Sequence, residues 1–194
     1  MIEDDPLEFL KGTLRSPAEV GSIIPSSRYL AEEYVRDFDV EDPAVLELGP
    51  GTGPITRVLL RETDDPSRYV GIEQDEEYVD VLREKFSDEA HFYHGSAEEM
   101  VDYVDDAGLE EVDLIASALP FATLPQPVQA RIYDGLEELM DEGTWFRAVQ
   151  LAHAWPAPSA RKFRRAMNRR FGPFNRSQLV WRNIPPAFVL TWRG

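Results

Sequence analysis

Two rhythms of apolar residues alternate along this chain. Short runs that are apolar at most positions occur at Val45–Leu48, 69–72, His91–His94, 112–117 and 144–151. Runs of this length, rich in β-branched and aromatic residues, read as strands, and near-continuous apolarity reads as strands covered on both faces. Between them lie stretches whose apolar residues recur three and four apart: 54–61, 76–86 (Tyr78, Val79, Leu82, Phe86), 128–140 and 160–171. These read as amphipathic helices. Gly143 stops the third and Ser159 is placed to cap the fourth. Such alternation predicts an α/β fold around a mostly parallel sheet. The last stretch departs from it: residues 179–192 read as two strands joined by Asn183-Ile184-Pro185-Pro186, an antiparallel hairpin forming strands six and seven.

Upstream of the first strand, Ser26 or Ser27 caps a predicted helix over 28–37, and 7–14 forms a shorter amphipathic segment expected to pack on the core. At 194 residues the chain suits one domain with a sizeable core. No apolar run reaches the 18 residues of a spanning helix, and the acidic start, Met1-Ile2-Glu3-Asp4-Asp5, lacks the apolar stretch of a secretory signal. Cysteine is absent, which removes disulfides and thiolate metal sites and suits a cytoplasmic location. His91 and His94, three apart in a strand, point to opposite faces, so no metal centre is expected.

Charge adds a second layer. Net charge is −16, yet residues 161–194 carry nine basic side chains and no Asp or Glu, which leaves −25 on residues 1–160. Three of the twenty basic residues are Lys. An acidic, lysine-poor body resembles proteins from salt-loving organisms, whose self-repulsion is screened by concentrated salt.

The chemistry begins at Val45-Leu46-Glu47-Leu48-Gly49-Pro50-Gly51-Thr52-Gly53. A strand runs into closely spaced glycines and then a helix, a turn that brings backbone N–H groups and a helix start to a polar ligand. The spacing is neither G-x-G-x-x-G nor a phosphate loop, which needs Lys-Ser/Thr after its last glycine where this chain has Pro54-Ile55. About twenty residues on, the second strand ends in Glu73, placed to accept hydrogen bonds from a ribose diol.

Glu47-Leu48-Gly49-Pro50-Gly51-Thr52-Gly53 followed by Gly71-Ile72-Glu73 resembles motifs I and II of the class I S-adenosylmethionine-dependent methyltransferases. The resemblance implies a Rossmann-like, seven-stranded, mostly parallel sheet with a C-terminal antiparallel hairpin. It also implies an N-terminal helical lid over 1–40 above a core at 41–194. S-adenosyl-L-methionine is then the cofactor. Glu47, Gly49, Gly51, Thr52 and Gly53 would pass under its methionine part, Glu73 would hold the ribose, Ser96 and Ala97 would meet the adenine, with Ser96 where the family often has Asp, and Gln74 and Ser117 would be further cofactor contacts.

Four separated stretches, 21–27, 47–53, 117–120 and 181–189, look like the soluble bacterial phospholipid N-methyltransferases, relatives of the ribosomal RNA adenine dimethylases. By that likeness Ser117, Leu119, Pro120 and Phe121 occupy the acceptor motif that reads Asn-Leu-Pro-Tyr in the RNA enzymes, with Ser117 in the place of Asn. His153, after strand five, stands where it could deprotonate an amine. Phe121, Trp155 and Tyr29 are candidate faces for a methylated cation. Ser26, Ser27 and Tyr29 near the lid, and Arg161, Arg164 and Arg165 on the basic helix, are candidate substrate or membrane contacts. Three readings follow: an N-methyltransferase acting on a lipid headgroup at an anionic membrane surface, peripheral on the inner face; an RNA adenine N-methyltransferase served by the basic C-terminal region; and a non-catalytic cofactor-binding module.

Overall fold

The computed structural model describes residues 26–86 and 88–194. The segment 7–14 and residues 21–25 of the predicted lid lie outside the described residues. A single mixed sheet organises the rest. Strands β1 (Val45–Leu48), β2 (Tyr69–Glu73), β3 (His91–His94), β4 (Leu114–Ser117) and β5 (Trp145–Leu151) are parallel, and β7 (Ala187–Arg193) runs antiparallel between β5 and β6 (Asn175–Arg176). The order β3-β2-β1-β4-β5-β7-β6 reverses direction between β1 and β4, the switch point at which open α/β sheets leave a crevice beyond their carboxyl ends.

The helices are α1 (Arg28–Glu33), α2 (Thr56–Leu59), α3 (Glu76–Lys85), α4 (Met100–Asp106), α5 (Gln126–Leu139) and α6 (Pro158–Phe171). Ser27 supplies the α1 cap, its Oγ accepting from the Leu30 N–H at 3.3 Å. The helix ends short of the expected residue 37, where Asp37 takes a left-handed φ of 57°. At α6 the expected cap is corrected: Ala157 holds the N-cap position without a side-chain bond, and Pro158 starts the helix, its fixed φ suiting a first helical residue. Helix α4 was not anticipated, because only Met100 and Val104 of its seven residues are buried.

Both sheet faces are covered. Leu46, Leu48, Ile115, Phe146 and Trp192 pack with Met100 of α4, Ile132 and Leu136 of α5 and Phe163 and Met167 of α6. Val45, Tyr69, Leu114, Ala116 and Val189 pack on the other face with Leu30 of α1 and Tyr34 at its C-cap, Val58 and Leu59 of α2 and Val79 and Leu82 of α3. Alternation along β1 and β4 therefore divides one apolar run between two cores.

Three polar contacts fasten α1 to the sheet. The Tyr34 hydroxyl donates to the Ser117 carbonyl at 2.7 Å. Arg147, on β5 and buried, donates to the Glu33 carbonyl at 3.1 Å and the Arg36 carbonyl at 2.5 Å. This gives a cation to the otherwise unpaired carbonyls at the helix end, and burial pulls the guanidinium down to about 10. Finally, Asn183 accepts from the Ser27 N–H at 2.9 Å and donates to the Pro185 carbonyl at 2.7 Å.

The C-terminal hairpin forms with a shifted first strand. Strand β6 lies at Asn175–Arg176, and within 179–182 only Val180 pairs, as a single bridge to Ala187. The connection at 181–186 is a turn because Pro185 and Pro186 have no N–H for a ladder. The buried Asn183 amide joins this turn to α1, and its loss strands the Ser27 donor and the Pro185 acceptor. Asn183→Ala is expected to cost about 1–3 kcal/mol, read as a lower midpoint in urea unfolding.

Candidate active site

The switch point holds an open, mostly apolar cavity, the place in an open α/β sheet where small molecules bind. Four strand ends build it: Gly49 and Gly51 after β1, Glu73, Gln74 and Asp75 after β2, Gly95, Ser96 and Ala97 after β3, and Ala118, Leu119 and Pro120 after β4. The start of α5, with Leu124 and Val128, closes one side.

The glycine turn depends on left-handed backbone. Gly49, Gly51 and Gly53 have φ of 76°, 57° and 82°, which residues bearing a Cβ adopt at a cost. At Gly53 a Cβ would also lie 2.5 Å from the Phe86 ring, so this residue packs the turn against the end of α3. Gly51 faces open space, and its N–H points at Glu73 Oε2 over 2.8 Å. Glu73 Oε1 accepts from the N–H groups of Gln74 and Asp75 at 2.8 and 3.1 Å. Burial, at 7% exposure, raises its pKa while these three backbone donors oppose the rise. A carboxylate offers about four acceptor positions, so Oε2 keeps room for one further donor. Beside it the Gln74 Oε1 is buried with no partner. An acceptor with spare capacity beside an unpartnered one fits a ligand that brings hydroxyl or amino donors. Ser96 caps the turn after β3, its Oγ accepting from the Glu98 N–H and donating to the Glu98 carboxylate.

Several expected site residues point elsewhere. Glu47 is fully buried beneath α2, with Oε2 accepting from Tyr69 at 2.5 Å and Thr56 at 2.7 Å and Oε1 unpartnered. On β1 it shares the face of Val45, away from the cavity. Desolvation raises its pKa to about 7. Thr52 and Gly53 do not line the cavity either; the Thr52 carbonyl accepts from Lys85 at 2.6 Å.

The acceptor motif needs the largest correction. Ser117 is fully buried, its Oγ accepting from the Leu119 N–H and its carbonyl from Tyr34. Phe121 is buried in the core, stacked on Phe163 at 4.5 Å with Tyr133 and Phe146 around it. Leu119 and Pro120 face the cavity, and so does Ala118, which the sequence argument passed over although it directly precedes Leu119-Pro120-Phe121. His153 lies in an exposed turn and does not line the cavity.

Among the surface candidates, Arg164 is 8% exposed and turned inward, donating to Gln150 at 3.3 Å and to the Trp155 carbonyl at 2.9 Å over the Trp155 ring. It is therefore a packing residue, and it occupies the Trp155 face expected for a methylated cation. Arg161 and Arg165 are exposed and, with Lys162, Arg169 and Pro158, line a shallow depression along α6. None of these four cations takes part in an ion pair among the described residues. Ser26 and Ser27 are half-buried beside Asn183, and the Tyr29 hydroxyl accepts from Arg28 and Arg182, each at 3.0 Å.

Comparison with known proteins bears on this arrangement. The family described as "Methyltransferase domain" matches residues 45–143, half of the chain, from β1 to the glycine before β5, and the chain belongs to that family. An ornithine lipid N-methyltransferase of Singulisphaera acidiphila is 28% identical over 192 residues, covering 96% of this chain and 94% of that protein. A mitochondrial ribosomal RNA small subunit methyltransferase of Arabidopsis thaliana is 28% identical over 119 residues, 59% of this chain and 29% of that protein. A TehB-like SAM-dependent methyltransferase from Corynebacterium glutamicum superposes with a TM-score of 0.59 at 16% identity, covering 96% and 97% of the two chains. That likeness is one of fold.

Glu47 supplies a test by titration. Its folded pKa of about 7 lies above the ordinary 4.5, so the native state holds an extra proton between those values. Stability therefore falls as pH rises through this window, and the loss is complete above it. The urea midpoint of the wild type is expected to drop more between pH 5 and pH 8 than that of Glu47→Gln. Glu73, raised in the same direction, leaves a residual slope in both. Parallel profiles would refute the assignment.

Proposed function

We propose, from the premise of methyltransferase-family membership, that this enzyme transfers a methyl group from S-adenosyl-L-methionine to the amine of a lipid headgroup of phosphatidylethanolamine-like type. The observation that carries the acceptor reading is the cavity wall after β4. It consists of Ala118, Leu119, Pro120, Thr123, Leu124 and Pro125, with no side-chain amide and no aromatic face; the amide and the ring that line the same cavity, Gln74 and Tyr78, belong to the cofactor side after β2. A planar adenine amine calls for an amide that donates and accepts together and a ring to stack on. The motif residues that would provide them, Ser117 and Phe121, are engaged in the interior. A small aliphatic amine needs neither. Similarity to the ornithine lipid enzyme over nearly the whole of both chains supports the same class. Similarity to ribosomal RNA enzymes, which reaches under a third of the Arabidopsis protein, makes RNA the second reading.

The bound cofactor supplies an electrophilic methyl group on a sulfonium. The chain's own residues bind and orient. Glu73 Oε2 and Gln74 Oε1 would accept from the ribose, Gly49 and Gly51, which line the cavity without side chains, would leave room for the methionine end, and Ser96 and Ala97 would border the adenine. Leu119, Pro120, Leu124 and Val128 exclude water from the transfer path, which aligns the amine and strengthens the electrostatics around it. The amine must be neutral to attack. An apolar wall lowers an ammonium pKa, so the proton leaves to solvent as the headgroup enters and no side-chain base is required. This assigns no proton transfer to His153. The unpaired cations Arg161, Lys162, Arg165 and Arg169 provide an attractive face for anionic lipid.

Three measurements test this reading. Glu73→Ala is expected to weaken S-adenosylmethionine binding about tenfold or more, the loss of a hydrogen bond to a charged group, by calorimetry; unchanged affinity removes the ribose role. His153→Gln is expected to leave kcat/KM and its pH profile unaltered, and a lost basic limb would restore His153 as the base. Labelled cofactor offered in parallel with aminolipid, RNA and small amines is expected to mark lipid. Label in RNA and none in lipid overturns the acceptor assignment.

A further inference from the structure

The turn at 181–186 carries a feature that the methyl-transfer site does not use. Trp181 and Ile184 are 75% and 74% exposed, the most exposed large apolar side chains among the described residues. The turn beneath them is firmly braced. Asn183 is buried and bonded on both sides, the Ala152 N–H donates to the Pro186 carbonyl at 2.8 Å, and the Val180 N–H donates to the Ala187 carbonyl at 2.9 Å. Apolar side chains are thus presented to solvent by a structured support.

Charge frames this tip. The guanidiniums of Arg182 and Arg28 each lie 4.8 Å from the Tyr29 ring centroid and share its hydroxyl as acceptor. Neither takes part in an ion pair among the described residues. The neighbouring α1 carboxylates are committed elsewhere, Glu32 to Arg61 and Glu33 to Arg36. Position completes the pattern. Ala187 pairs with Leu151, the last residue of β5, so the turn projects from the carboxyl edge of the parallel strands, the edge on which the cavity opens.

We infer that residues 181–184 are a membrane-seating tip: Trp181 and Ile184 enter the interfacial layer of a bilayer while Arg28 and Arg182 meet lipid phosphates, holding the cavity mouth toward the headgroups. The inference rests on the lipid-acceptor reading. A tryptophan and an aliphatic side chain beside guanidiniums match the layered chemistry of a bilayer surface, apolar below and anionic above. Salt screens the cationic contacts and leaves the apolar ones. The apolar pair therefore keeps the enzyme on the membrane in strong salt, where an acidic chain loses least from repulsion by anionic lipid.

The test uses the full chain with vesicles of phosphatidylcholine, phosphatidylethanolamine and phosphatidylglycerol, sedimented in about 0.1 M and about 1 M salt. Trp181→Ser combined with Ile184→Ser is expected to weaken partitioning about tenfold or more at both salt levels, since two large side chains no longer leave water. Arg28→Gln with Arg182→Gln is expected to weaken it at low salt alone. Brominated acyl chains are expected to quench wild-type tryptophan emission and to lose that quenching in Trp181→Phe. The unfolding midpoint of each variant verifies the fold. Unchanged partitioning of the double serine variant overturns the proposal. So does unchanged partitioning with a smaller sedimenting mass, which would make the tip a contact between copies. Methyl transfer to aminolipid in detergent micelles is measured alongside. Transfer by the wild type with unaltered vesicle binding by the double serine variant sinks the tip alone. No transfer with lost vesicle binding sinks the acceptor reading and supports the tip.

Discussion

The left-handed turn after β1 is the constraint on which the site depends. Three glycines at positive φ reverse the chain within five residues, and each serves a different neighbour. Gly49 comes close to Leu119 of the β4 loop, Gly51 gives its N–H to Glu73 at the end of β2, and Gly53 leaves space for the Phe86 ring at the end of α3. A side chain at Gly53 would collide with Phe86 and one at Gly49 would press on Leu119, while at Gly51 the left-handed backbone alone sets the cost. The cavity is therefore a consequence of backbone that only glycine adopts cheaply, secured by a carboxylate that spends three acceptor positions on the same loops.

A second dependency runs across the sheet. The Tyr34 hydroxyl reaches the Ser117 carbonyl and Arg147 holds the carboxyl end of α1, so the helix before the first strand is joined to the end of the fourth. Asn183 extends the link to the C-terminal turn. The N-terminal helix, the wall of the cavity and the exposed tip are in this way one continuous polar framework laid over two apolar cores. Its interior members are satisfied almost throughout. The exceptions, Glu47 Oε1, Gln74 Oε1 and Arg147 Nε, include the one acceptor that borders the cavity.

Charge is divided unevenly along the chain. The acid-free C-terminal region supplies the exposed face of α6 and the tip at 181–184. Six basic residues lie on α6, of which Arg161, Arg164 and Arg165 were the expected surface contacts. Folding divides them: Arg164 turns inward onto Trp155 and Gln150, Arg170 pairs with Glu137, and Arg161, Lys162, Arg165 and Arg169 remain free of ion pairs among the described residues. The helical period places Arg164 beside Phe163 on the buried side, and a long side chain there can bury its stem and guanidinium against an aromatic ring.

The order of elements apart from α4, the parallel sheet with its antiparallel end, the glycine turn and the carboxylate after β2 were legible in the sequence because each rests on local rules: period, glycine φ and the length of apolar runs. Orientation was not. Glu47 lies two residues before Gly49 yet faces α2, because adjacent strand positions face opposite sides of the sheet and both sides here are covered. Ser117 and Phe121 flank a cavity-lining Ala118-Leu119-Pro120, since the turn sends one inward to cap itself and the other down into the stack with Phe163. Sequence by itself determined which backbone groups meet at the switch point. Which side chains line the space, and which only support it, was decided by the packing of two helical layers, because burial on both faces offers each residue two directions that a linear pattern leaves equal.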